Sequence, residues 1–470
     1  MRTRKTSEKS RLKQNNTHPV RKKPLKVKPG HWLWLWMGFT GVAMLSATAG
    51  AMLAVSLSST PLLQDPLSPD EEAVFNQGGS ISRGSLRLPE LTRPVNVLFL
   101  GTKVLTSDLD QPPAEDLGYH ALVNSFDGLS DTMMLLRFNP EADKLNVLSI
   151  PRDTRTYVEG VGLTKLNAAN YHGGAALTAK ATSELLEGVG IDRYMRVNVQ
   201  GIEKLIDALG GVTVYVPKDM KYTDHSQHLY IDLKQGEQHL DGEKAMQFLR
   251  FRYDQLGDVG RVQRQQILMR ALMEQVLNPT TLARLPKILS VIQSNIDTNL
   301  TVEELVALVG FAVQTNRSDI QMLMIPGQFN GDGHKDVSYW LPNHRQIRQM
   351  MAQHFDVGYS ETQESNPQYQ RVAIQDSTGN PEAVDGLIRY LGEAGYRNVY
   401  VGQPWSEPLP ITRIVAQQGD GRGATAIRDD LSLGEVRVES TGSLNSDVTI
   451  QLGQDWLQKQ ASISERDDSF

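Results

Sequence analysis

The stretch Leu145-Asn146-Val147-Leu148-Ser149-Ile150-Pro151-Arg152-Asp153-Thr154 decides the reading of the chain. An apolar run stops at Pro151, and a cation and an anion follow at once. The pattern predicts a buried strand that delivers Arg152 and Asp153 to the rim of a sheet, where α/β proteins bind ligands. A guanidinium fixed there suits a phosphate, because its planar fork donates two parallel hydrogen bonds. A salt-bridge turn at the surface would use the same two residues.

Strands and helices alternate around this stretch. Val95–Gly101 reads as a strand ending at glycine, and Met133–Phe138 as a second, with Ser130-Asp131-Thr132 before it. Between them 102–128 reads as a long loop. After Thr154 come Thr164-Lys165-Leu166-Asn167-Ala168-Ala169-Asn170 and Gly173-Gly174, then a helix over 175–187. Strands fit Met195–Val199, Val212–Val216 and Met322–Ile325. Helices fit Ile202–Leu209, 241–248, 262–277, 283–293, 302–315 and 341–354. The alternation argues for an α/β sandwich over 95–355. Residues 356–369 read as a linker, 370–456 as a smaller α/β unit, and 457–470 as a frayed tail.

The N-terminal part has a different chemistry. Residues 1–30 hold eleven Lys/Arg against Glu8 alone, about +10 in charge, and are expected to form a disordered cytoplasmic tail. Trp32 to Leu57 contains no charged residue over 26 positions, long enough to cross a bilayer. Trp32, Trp34 and Trp36 sit at its start like an interfacial belt, so residues 31–57 are expected to be a transmembrane helix. The basic block before it predicts a single-pass plasma-membrane protein with its bulk outside the cytoplasm. A cleaved signal peptide is the rival, since Ala47-Thr48-Ala49 resembles a cleavage box. Residues 58–94 read as a linker.

The formal charge of −6 leaves about −16 after residue 30, which argues against nucleic acid as a partner. With no cysteine, disulfides and thiolate metal sites are excluded. Any phosphate site must then be a local arginine cluster, and four stretches supply one. Asp131 and Arg152-Asp153 are joined by Arg250 and Arg252, two apart and on the same side of an extended segment. Arg261 and Gln265 share a helix face, with Arg264 beside them. Gly257 and Gly260 at that helix start would admit a ligand, and helix N-termini favour anions. Guanidiniums with a carboxylate able to hold a divalent cation suit a pyrophosphate. His225 and His228, in a polar loop, read as solvated rather than as metal ligands.

The segments SDTMML (130–135), SIPRDT (149–154), TKLNAAN…GG (164–174), the R-F-R of 250–252 and GDVGRVQRQQ (257–266) resemble the LytR-CpsA-Psr family. Residues 370–456 resemble the LytR-type C-terminal domain of some members, and the family's older label is cell envelope-related transcriptional attenuator. The resemblance implies a central mixed sheet sandwiched by helices, with a hydrophobic tunnel for a lipid. It also implies a phosphotransferase that moves a glycan phosphate from a polyprenyl-pyrophosphate carrier to a peptidoglycan acceptor. By motif position Asp131 is a Mg²⁺ ligand, and Arg152, Arg250, Arg252, Arg261 and Gln265 hold the pyrophosphate. Asp153 orients Arg152 or helps activate the hydroxyl. Two positions depart from the family. Lys103 stands where an Asp is usual, and Leu129 where an Arg precedes Ser-Asp-Thr. Lys103 is expected to supply charge to the pyrophosphate and weaken the need for metal, unless Asp108, Asp110 or Asp127 replaces the lost ligand. A polyprenyl-pyrophosphate hydrolase, or a non-catalytic scaffold binding lipid-linked precursors or the wall, would fit the same residues.

Overall fold

The computed structural model describes residues 62–467, apart from 76–78, 84–88, 104–124, 226–228, 252–256, 279, 331–337, 359–366, 418 and 444, and apart from the side chains of 257–263, 282 and 463–467. The expected tail and membrane helix, Asp108, Asp110, and the side chains of Arg252 and Arg261 lie outside these residues. No helix among the described residues is long and apolar enough to cross a membrane.

The larger unit is built on a six-stranded mixed sheet. Its strands are β1 (Val95–Lys103), β2 (Leu129–Asn139), β3 (Lys144–Ile150), β4 (Arg193–Asn198), β5 (Ile296–Thr298) and β6 (Ile320–Met324), in the spatial order β5-β4-β1-β2-β3-β6. The β1–β4 and β3–β6 pairs are parallel and the others antiparallel. The central strands are apolar almost without interruption because both faces are covered. Met133, Leu135, Leu148 and Ile150 point into one core with α2 (Ala168–Leu185) and α8 (His344–His354). Met134, Val147 and Val97 point into the other, against α3 (Val199–Leu209), α6 (Thr280–Asn295) and α7 (Val302–Gln314). The period of two sorts one strand's residues between two cores.

Helices α4 (Gly242–Arg250) and α5 (Gly257–Val276) enclose a smaller core with two hairpins, Val212–Val216 with Gly236–Leu240 and Met220–Asp224 with Leu229–Leu233. Gly236–Leu240 is therefore a strand and not the approach to a helix. Asp241 caps α4 by accepting from Lys244 N at 2.9 Å, which fixes where the helix starts.

The stretch 58–94 is not a simple linker. It carries α1 (Pro69–Phe75), and Phe75 and Ile81 are buried in the cores. Before α1 the chain is strapped to the body. Thr298 N donates to Leu63 O at 3.1 Å, Asp65 N donates to Asp297 at 2.8 Å, and the Asp65 carboxylate pairs with Arg196. The one charge in this strap, Asp65, is spent on the buried Arg196.

A second sheet of five strands forms the C-terminal domain. Its strands are β7 (Arg371–Asp376), β8 (Asn398–Val401), β9 (Arg413–Ala416), β10 (Glu435–Arg437) and β11 (Val448–Leu452), ordered β8-β7-β11-β9-β10. Helices α9 (Pro381–Glu393), α10 (Gly421–Leu431) and α11 (Gln454–Asp467) complete it. Residues 457–467, expected as a frayed tail, belong to α11, which Trp456 anchors by donating from Nε1 to Ala383 O at 2.9 Å.

Candidate functional site

The site begins with an irregularity in β2. Gly101 of β1 pairs with Thr132, but the next residue, Thr102, pairs with Ser130. Asp131 is the extra residue of a β-bulge, and such a bulge re-aims its side chain away from the ladder. Gly101 permits this: a Cβ there would stand 3.1 Å from Thr132 Cβ.

The turn after β3 is held from all sides. Thr154 donates to Pro151 O twice, from N at 3.0 Å and from Oγ1 at 2.6 Å. Asn167 N donates to Arg152 O at 3.2 Å, Trp340 N to Asp153 O at 2.9 Å and Leu166 N to Thr154 O at 2.8 Å. The side chains then interlock. Arg152 Nη1 lies 2.7 Å from Asp131 Oδ1, and Arg152 Nε 3.5 Å from Asp153 Oδ2. Lys165 Nζ holds the other Asp153 oxygen at 2.7 Å. Asp153 is thus in contact with two cations, Arg152 and Lys165.

The TKLNAAN segment does not line the site. Its backbone holds the turn, Asn167 O accepts from Ser130 N at 3.3 Å, and Asn170 donates to Phe126 O at 2.9 Å and Gly128 O at 2.7 Å. It clamps the two strand ends that carry Asp131 and Arg152.

Two adjoining cavities meet at Asp131, Thr132 and Gln265. The first, of about 690 Å³, takes in Arg152, Asp153, Ser149 and Gln266, with Met133, Met134, Met269, Met324 and Phe329 as an apolar part of its wall. The second, of about 960 Å³, adds Lys103 and Arg250 to Asp131 and Gln265. Its remaining wall combines apolar side chains such as Ile202, Leu229 and Leu249 with Tyr222 and Asp224. Of the residues expected from sequence, Asp131, Arg152, Asp153 and Gln265 share one cavity, and Lys103 and Arg250 join Asp131 and Gln265 in the next.

Two expectations need correction. Arg250 is not part of an extended R-F-R segment: it is the last residue of α4, and Phe251 N still donates to Gln247 O at 3.1 Å. Arg264 lines neither cavity. It is buried, donates to Phe251 O at 2.5 Å and lies 5.9 Å from the Phe251 ring, so it secures the segment after α4. Tyr222 and Asp224 were missed. Tyr222 donates to Asp224 at 3.4 Å. The alternation Met220-Lys221-Tyr222-Thr223-Asp224 was the available signal, because it sets Tyr222 and Asp224 on the same, less exposed face as Met220.

Among the described residues no cluster of three acidic or histidine side chains could cage a metal. Mg²⁺ needs less: one or two carboxylates, with phosphate oxygens and water completing its shell. Asp131, with Asp224 in the same cavity wall, fits that lesser demand.

The LytR_cpsA_psr family matches residues 69–356, and the family described as LytR cell envelope-related transcriptional attenuator matches residues 370–456. The chain therefore belongs to the LytR_cpsA_psr family and is a glycan phosphotransferase of that type. It is 30% identical over 315 residues to the polyisoprenyl-teichoic acid–peptidoglycan teichoic acid transferase TagU of Bacillus anthracis, covering 65% of this chain and 91% of that one. It is 32% identical over 239 residues to TagV of Bacillus subtilis, a transferase of the same description, covering 49% of this chain and 60% of that one. The crystal structure of B. subtilis TagV superposes with a TM-score of 0.46 at 28% identity, over 57% of this chain and 98% of that one.

Proposed function

We propose that this chain is anchored in the plasma membrane by residues 31–57 and works outside the cytoplasm. There it transfers a phospho-glycan from a polyprenyl-pyrophosphate carrier to peptidoglycan. The observation that carries this reading is the seam between the two cavities. A carboxylate–guanidinium pair, Asp131 and Arg152, stands there with Gln265, while Lys103 and Arg250 face the neighbouring space. Phosphoryl transfer asks a protein for positioning and charge neutralisation more than for covalent chemistry.

In the step itself an acceptor hydroxyl oxygen attacks the glycan-side phosphorus. The bond from that phosphorus to the bridging oxygen breaks, polyprenyl phosphate leaves with the electron pair, and the hydroxyl proton passes to the leaving phosphate. Negative charge builds on the bridging and non-bridging oxygens. Arg152, Arg250 and Lys103 lie where they would stabilise it, together with Arg252, Arg261 and Gln265 by motif position. Asp131 would hold a Mg²⁺ if one binds, and that cation would supply further neutralisation of the same charge. Asp153, gripped by Lys165, keeps the Arg152 fork in one orientation. The methionine-lined cavity beside the charged groups offers an adaptable apolar surface to a prenyl chain. The relatives' own description, transfer of teichoic acid from a polyisoprenyl carrier to peptidoglycan, supports the same substrate class for this chain.

The test is product analysis with the purified full chain, a polyprenyl-pyrophosphate-linked glycan and peptidoglycan fragments. Covalent glycan-phosphate on the fragments with release of polyprenyl phosphate is expected. Release of the carrier without labelled fragments would make the protein a hydrolase, and turnover of neither would make it a scaffold.

A further inference from the structure

Helix α5 faces the site along one flank and the C-terminal domain along another. Gln265 and Gln266 both line the Arg152 cavity. Arg270 stands four residues after Gln266, so these two share a helix face. Gln266 is buried, its Nε2 3.8 Å from the Met324 sulfur on β6. Arg270 reaches out of the transferase body: Nη2 lies 3.4 Å from Glu407 and Nη1 3.8 Å from Glu439. Both glutamates belong to the C-terminal domain.

Those glutamates are themselves fixed. Arg413 holds Glu407 at 3.3 Å and reaches Glu435 at 3.7 Å, and Arg437 reaches Glu439 at 3.8 Å and also pairs with Glu435. Arginine and glutamate alternate through the whole set. The Arg270, Arg413 and Arg437 side chains are only 12–13% exposed, so solvent screens these pairs weakly. Burial raises the Glu407 carboxyl, but Arg413 and Arg270 outweigh it and hold it below its usual value.

The backbone makes the same join. Met322 N on β6 donates to Val438 O at 2.9 Å, and Met322 bridges Glu439 in parallel. The C-terminal domain thereby covers an edge of the six-stranded sheet that would otherwise be open to pairing. Met324, which Gln266 touches, is two residues further along that edge.

We propose that Arg270 is a positioning residue for transfer: by gripping Glu407 and Glu439 it lets the C-terminal domain set the placement of α5, and so of Gln265, against Arg152 and Asp131. The C-terminal domain thereby gains a role in catalysis without touching substrate. This rests on the reading of the two cavities as the transfer site. The physical reason is that small misplacements of a charge-stabilising wall cost rate more than they cost ground-state binding.

The experiment uses the full chain with Arg270→Met and Arg270→Lys, read by amide hydrogen exchange over 264–272 and by transfer kinetics. Arg270→Met is expected to speed exchange in that segment while leaving β7 and β11 protected. It should also lower kcat about tenfold, with KM for the lipid-linked glycan moving less than about twofold. Arg270→Lys, which keeps the charge, is expected to restore both. Wild-type exchange and kcat in Arg270→Met would overturn the proposal, as would a loss that Arg270→Lys reproduces in full. Should Arg270→Met fail to fold, Glu407→Gln removes the same contact from the other side with the same expected results. If the wild-type chain transfers nothing, the functional reading fails, and the exchange measurement still decides this one.

Discussion

Arg152 and Arg250 are both guanidiniums at the end of an apolar element, yet they are fixed by different means. Arg152 sits in a turn whose carbonyls at 151, 152, 153 and 154 all accept hydrogen bonds, and its side chain is tied to Asp131 and Asp153. Arg250 closes a helix whose last turn runs straight into a buried Phe251, and that anchor is itself held by Arg264. The first cation is preorganised by its own backbone. The second is placed by the packing of the residue after it. One wall of the site is set by its own backbone bonds and the other by helix placement, and the difference can be broken deliberately.

The wall set by its own backbone should show the largest effect. Arg152→Ala is expected to lower kcat by about 10²–10³, with Arg152→Lys recovering little, because an ammonium cannot reproduce a planar fork. Thermal midpoints of these variants should stay close to wild type, since the turn is held by backbone bonds. Lys103→Ala comes next, with turnover down about tenfold and not restored by added Mg²⁺. An unaltered rate would mean that Lys103 does not meet the pyrophosphate. Lys165→Met should cost a few-fold in kcat, roughly 1 kcal/mol, by freeing Asp153 to swing. A full loss there would instead give Asp153 a direct part in the chemistry.

The smallest effect lies away from the site. His354, on α8 near the join to the C-terminal domain, is buried, and burial lowers its pKa to about 4 against an ordinary 6.5. Between these values the unfolded chain binds a proton that the folded chain does not. Stability contributed by keeping His354 neutral is therefore present above pH 6.5 and lost as pH falls toward 4, by up to about 3 kcal/mol. His354→Gln is expected to flatten that acid limb in a pH series of thermal melts. An unchanged slope would place the proton uptake elsewhere.

Much of the architecture was legible because it follows from period and punctuation. The apolar runs at 95–101, 133–138 and 145–150 became the three central strands. The C-terminal unit followed the same way. What was not legible depended on long-range partners. The strap at 62–68 reads as polar linker until Arg196 and Asp297 are placed opposite it. Arg264 looks like its neighbours Arg261 and Gln265, and only the packing of Phe251 shows that it turns inward. The bulge that aims Asp131 is a register shift between two strands, so no local pattern in 129–139 encodes it.

The most direct measurement is the mass of the lipid that co-purifies with the full chain. A polyprenyl phosphate or pyrophosphate is expected with the wild-type protein and is expected to be largely lost from Arg152→Ala. Its absence from both proteins, or its presence in equal amounts, would contradict the assignment of the Asp131–Arg152 seam as the pyrophosphate site.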